Sequence, residues 1–147
     1  MRASTLVASA LTLLLTSAAT AAPSLVPPGW REVGDPGAGA RTFVSPDGAA
    51  RLRVGHIAAD RQNLRGDMDA ISYKDGESIT YQRRGDSWVA VSGYRDDQIF
   101  YRKGNLACGQ TRWHMVEFRY PREAKRQMDA AVTAVAHDMG AYGSDCR

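Results

Sequence analysis

The chain is poor in the residues from which metal and catalytic centres are usually built. Of its 147 residues, 2 are cysteine and 3 are histidine. A zinc site needs several Cys or His ligands at short, regular spacing. His56, His114 and His137 are instead scattered, and there is no Cys-x-x-Cys. The chain also lacks a Walker phosphate loop, a Gly-x-Gly-x-x-Gly, a His-Glu-x-x-His and a Gly-x-Ser-x-Gly elbow. Asp67 and Asp69 begin like a calcium loop, but Ile71 and Tyr73 stand at later ligand positions, which excludes the EF-hand pattern. No metal and no cofactor are expected.

Lysine is equally scarce, being confined to Lys74, Lys103 and Lys125. The 19 Lys+Arg face 16 Asp+Glu, a net charge of +3. That balance is too even for a nucleic-acid binder, which shows a concentrated basic excess. Long apolar runs are missing after the N-terminus, so no transmembrane segment is expected in the mature chain.

What the N-terminus does contain is a secretory signal. Arg2 supplies the positive start, Leu6 to Leu15 the apolar stretch, and Ala19-Thr20-Ala21 a small-x-small cleavage site. The apolar stretch is about half of the ~20 residues that span a bilayer. Residues 1–21 therefore read as a signal peptide cut near Ala21, which makes the mature protein periplasmic or secreted. In that oxidising setting Cys108 and Cys146 are expected to form a disulfide. Closing so long a loop stabilises a fold by about 4 kcal/mol on the chain-entropy model.

Residues 22–40 are rich in Pro, Gly and Ala and read as an N-terminal arm, with Trp30 as an anchor; residues 41–147 read as a single domain. Arg41 to Val44 and Ala49 to Ile57 flank Ser45-Pro46-Asp47-Gly48, whose Pro and Gly suit a type I turn and hence a hairpin. Asp60 to Ser72 reads as a helix capped by Asp60, with Leu64, Met68 and Ile71 at helical spacing and Gly66 against it. Strands follow over 78–83, 87–92, 98–103 and 110–120. Their polar links (Gly85-Asp86, Arg95-Asp96-Asp97 and Gly104-Asn105) point to an antiparallel meander. Trp88 to Val91 and the last strand are apolar on both faces, so both faces need cover. A final helix after Pro121 supplies one cover through Met128, Ala131, Val132, Val135 and Met139, ending at Gly140. The earlier helix or the arm supplies the other.

The strands carry an unusual number of arginines interleaved with aromatics. Arg51, Arg53, Tyr101, Arg102, Arg112 and Trp113 form the candidate binding surface. A planar guanidinium beside an aromatic suits phosphate, carboxylate or sugar-acid groups. The expected partner is an anionic envelope component or an acidic protein surface. One alternative is a small periplasmic hydrolase using His114 with Ser92 and Asp96 or Asp97; another is a purely structural envelope protein. Arg65-Gly66-Asp67 and Arg84-Gly85-Asp86 match the adhesion tripeptide, a short motif of which Gly85-Asp86 is already explained as a hairpin turn.

The run Arg84 to Gly93, then Ile99 to Lys103, Trp113-His114 and Tyr120-Pro121, with Phe43 to Gly48 upstream, resembles a pattern of small exported bacterial proteins of undefined function. The order of hairpin, helix, meander and final helix entered through Tyr-Pro is similar to PsbP-type α-β-α sandwiches. The resemblance implies an α+β fold with helices packed on an antiparallel sheet, and a non-catalytic binding or assembly role.

Overall fold

A computed structural model of the chain describes residues 25–34, 39–142 and 146. The expected signal peptide and its cleavage site lie outside the described residues. The elements in chain order are β1 (Arg31–Val33), β2 (Ala40–Val44), β3 (Arg51–Ala58), α1 (Leu64–Ser72), β4 (Ser78–Arg84), β5 (Trp88–Arg95), β6 (Gln98–Ala107), β7 (Arg112–Pro121), a 3-10 turn (Arg122–Ala124) and α2 (Lys125–Tyr142). The strands form a 7-stranded sheet in the order β1-β2-β3-β7-β6-β5-β4. Each neighbouring pair is antiparallel. The architecture is α+β.

The hairpin follows from its turn. Gly48 N donates to Ser45 O at 2.8 Å, and Asp47 Oδ1 accepts from Ala49 N at 3.0 Å. Gly48 sits at φ 75°, a left-handed conformation natural to glycine. The arm does more than anchor. Its residues Arg31–Val33 pair with β2 and satisfy an edge that would otherwise stand open. Trp30 packs edge-on against Phe118 with ring centroids 5.9 Å apart.

α1 starts later than expected. Asn63, not Asp60, caps it, its Oδ1 accepting from Gly66 N at 3.0 Å. Asp60 instead shapes the preceding turn by accepting from Gln62 N at 3.0 Å. A Cβ on residue 66 would run into the Asn63 side chain, so the glycine that disfavours helix is what permits this cap. Gly104-Asn105, expected as a link, lies inside β6, and the real turn spans Cys108 to Thr111. The reason is tertiary: a Cβ on Gly104 would stand 3.0 Å from Met115 Sδ and 3.3 Å from Ile71 Cδ1, so this glycine lets α1 lie close to the sheet. α2 runs two residues past Gly140, to Tyr142.

The helices cover opposite faces. Neighbouring residues on β6 show it: Arg102 Nη1 donates to Ile71 O of α1 at 2.9 Å, while Lys103 Nζ donates to Ala136 O of α2 at 2.7 Å. Met128, Val135 and Met139 of α2 are buried with Leu52, Phe118 and Tyr120. Met68 and Ile71 of α1 are buried with Val89, Val91, Phe100 and Trp113. α1, only 9 residues long, packs over β5 and β6. On its side of the sheet β3 remains open, with Arg51, Arg53 and Ile57 all exposed. Cys108 and Cys146 are joined by a disulfide with Cα atoms 5.4 Å apart, tying residue 146 to the β6–β7 turn.

Candidate binding face

Residues paired directly across an antiparallel ladder project from the same face. One row across the α1 side of the sheet reads Arg31, Val44, Arg51, Arg119, Phe100. The next reads Val33, Thr42, Arg53, Glu117, Arg102. Two adjacent rows thus carry five arginines, and their fates differ.

Arg102 is 1% exposed. A buried guanidinium is tolerated only when paired, and here its nitrogens are all engaged. Nε donates to Glu117 Oε2 at 2.6 Å, Nη2 to Glu77 Oε1 at 2.7 Å and Nη1 to Ile71 O. Arg119 Nε donates to Glu117 Oε1 at 2.7 Å, and Lys74 Nζ to Glu117 Oε2 at 3.0 Å. Burial alone would push the Glu117 carboxyl up. The hydrogen bond and charge of Arg102, with Lys74 and Arg119, override it and hold the group at about 2. Glu77 has a fully buried side chain, and its Oε2 has no hydrogen-bond partner among the described residues.

Arg31, Arg51 and Arg53 are different. All are exposed, and none has a hydrogen-bond or ion-pair partner among the described residues. Glu117, directly across from Arg53, is already engaged by three cations. Arg51 stands across from Arg119, whose charge is already met by Glu117. Arg31 and Arg51 flank Val44 around a shallow depression of about 470 Å³. Beside it, a cleft of about 250 Å³ opens between Ala70 and Ile71 of α1, with Lys74 just past its end, and the strand residues Arg53, Gly55, Ile57 and Met115.

The expected binding surface of Arg51, Arg53, Tyr101, Arg102, Arg112 and Trp113 does not form one surface. Arg51 and Arg53 share the open face. Arg102 is the buried centre of the ion cluster. Trp113 is 0% exposed, its Nε1 donating to Asp67 Oδ2 at 2.8 Å. Tyr101 belongs to the α2 face, where burial, then Tyr81, pushes its hydroxyl up to about 12. Arg112 lines a separate depression with Thr111 and Ala58. Strand alternation is the cause: neighbours such as Tyr101 and Arg102 must point to opposite faces. Arg31, Lys74 and Glu117 were not among the residues expected here. Opposite charges two apart, Glu117 and Arg119, set among Met115, Val116, Phe118 and Tyr120 were the available signal.

The residues of the hydrolase alternative do not converge. Ser92 Oγ donates to Phe100 O at 2.8 Å. Ser92 pairs across to Tyr101, and Tyr101 to Phe118, four residues along the strand from His114. Such an offset is about 13 Å along a strand. His114 is buried, with its Nε2 3.7 Å from Cys108 Sγ. Asp96 and Asp97 lie in the β5–β6 turn, beyond Ser92. Of the adhesion tripeptides, Asp67 is engaged by Trp113 and by the Asp60 amide, and Gly85 N closes a turn onto Trp88 O. Among the described residues no group of three or more His, Cys, Asp or Glu is placed to hold a metal ion. Among them, too, no helix is long and apolar enough to cross a membrane.

Fold and site together define a class: a helix–sheet–helix protein with a half-covered, arginine-bearing sheet face. No protein-family model matches the chain, and no curated protein matches it either.

Proposed function

We propose that this chain is an exported, non-catalytic binding or assembly protein of the cell envelope, and that its open sheet face docks on an anionic, phosphate-bearing envelope surface. The observation that carries the reading is the set of three exposed arginines, Arg31, Arg51 and Arg53, on one face without partners among the described residues. Forked guanidinium donors match phosphate oxygens, and a broad, shallow face matches an extended surface better than an enclosed small molecule. Export supports the location, since the N-terminal signal and the Cys108–Cys146 disulfide both suit an oxidising compartment. The helix–sheet–helix order supports kinship with PsbP-type sandwiches and their non-catalytic roles.

The test is co-sedimentation of the mature protein with vesicles of phosphatidylglycerol and of phosphatidylcholine across a salt series. Each basic residue near an anionic membrane contributes about 1 kcal/mol. The double variant Arg31→Gln/Arg51→Gln is therefore expected to lose roughly 30-fold in apparent affinity for the anionic vesicles. Equal retention on neutral vesicles, or an unchanged double variant, would refute the reading.

A further inference from the structure

The cleft between α1 and β3 has a composition of its own. Its walls are mostly apolar: Ala70 and Ile71 from α1, Ile57 and Met115 from the sheet. Gly55 lines the cleft without a side chain, pairing with Ala40 on one side and Met115 on the other. Ile57 is 44% exposed, an apolar side chain left to water at the rim. An aliphatic ligand would cover it.

The cleft's charges are mostly positive. Arg53, Lys74 and Arg102 line it together with His56 and one carboxylate, Glu117, and Arg119 joins the cluster beside them. Against these four cations the cluster holds two carboxylates, Glu77 and Glu117. Glu117 is bound at both oxygens and Glu77 at Oε1, and Arg53 has no partner among the described residues. The excess of cations makes the cleft attractive to an anion, and low-dielectric walls strengthen that attraction. A bare inorganic anion would leave the apolar walls wet, and a neutral apolar molecule would leave Arg53 unpaired. The volume, about 250 Å³, is just below the roughly 300–1,000 Å³ that holds drug-sized ligands, so the occupant is small.

We propose that this cleft binds a small amphipathic carboxylate, its head group at Arg53 and Lys74 and its aliphatic body against Ile57, Ile71 and Met115. This goes beyond docking on an envelope surface. It is a separate small-molecule site at the edge of that face, and it does not use Arg31 or Arg51.

The experiment titrates decanoate, decanol and acetate into the mature protein below the micelle threshold. Heat is followed by calorimetry and amide shifts by NMR. Saturable one-to-one binding of decanoate is expected, with shifts centred on Gly55, Ile57 and Ile71, and with decanol and acetate each at least tenfold weaker. Ala70→Phe fills the cleft from an exposed helical position and should abolish binding. Arg53→Gln should weaken decanoate about tenfold and leave decanol unchanged. Arg31→Gln/Arg51→Gln should bind decanoate like the parent, which separates this site from the vesicle reading. If Ala70→Phe does not fold, the Arg53→Gln comparison and the NMR map decide. Absence of saturable binding, shifts centred elsewhere, decanol as tight as decanoate, or an Arg53→Gln variant indifferent to the carboxylate would each overturn the proposal.

Discussion

Acid should unfold this protein through one identifiable carboxylate. Glu117 is held at about 2 in the folded chain against an ordinary value of 4.5. A folded-state value below the unfolded one means that the ionised group favours folding. The contribution is complete above the unfolded value and disappears as pH falls through the folded one. At about 1.4 kcal/mol per pH unit, the Glu117 contribution is about 3 kcal/mol at neutral pH. Nearly all of it should be gone by pH 2. Against a typical stability of about 5–15 kcal/mol that is a large share. The assay is urea denaturation of parent and Glu117→Gln from pH 7 to pH 2, with the disulfide intact. The variant should be less stable by about 3 kcal/mol or somewhat more at pH 7, because removing one partner leaves Arg102 buried and under-compensated. The gap between the two curves should stay constant down to about pH 5 and then close steadily toward pH 2. Parallel curves across that window would refute the reasoning, because they would mean that Glu117 titrates alike in both states. Carboxylates that share no partner with Glu117 act on both proteins equally, so the difference isolates the cluster that Glu117 holds together.

Two further outcomes follow from the packing. Replacing both cysteines by alanine removes a cross-link of sequence separation 38 and should lower stability by about 4 kcal/mol on the chain-entropy model, read as a lower urea midpoint at unchanged pH. Gly93→Ala would press a Cβ into the backbone of Ser78 and Ile79 on the neighbouring edge strand. It should cost about 1–3 kcal/mol and raise hydrogen-exchange rates in β4 ahead of those in β3.

Local chemistry made several elements legible. The Ser45–Gly48 turn is set by one proline, one aspartate and one glycine within four residues, all acting on their own backbone. The final helix announced its buried face through Met128, Val135 and Met139, since helical periodicity alone brings them to one side. The disulfide was expected from there being two cysteines and an N-terminus that reads as an export signal. Where a residue answered to distant neighbours, the reading slipped. Gly104 looks like a turn residue because turns favour glycine, yet it serves the close approach of α1 to β6. Gly66 looks like a flaw in a helix, yet it makes room for the Asn63 cap.

The arginines mark the boundary between the two kinds of information. That strand residues alternate between faces is readable from the sequence, as is the presence of arginine on both. Which arginine is buried and which meets solvent depends on where a 9-residue helix comes to rest on a 7-stranded sheet. α1 lies over β5 and β6, so Arg102 is enclosed and must be paired by Glu77 and Glu117, the first 25 residues away and the second 15. β3 lies beyond the helix, so Arg51 and Arg53 remain open to solvent. Composition, turns, helical stripe and disulfide were determined by residues acting on near neighbours. The partition of one set of arginines into a buried ion cluster and an exposed face was decided by tertiary packing, because burial is a property of what covers a residue and not of the residue itself.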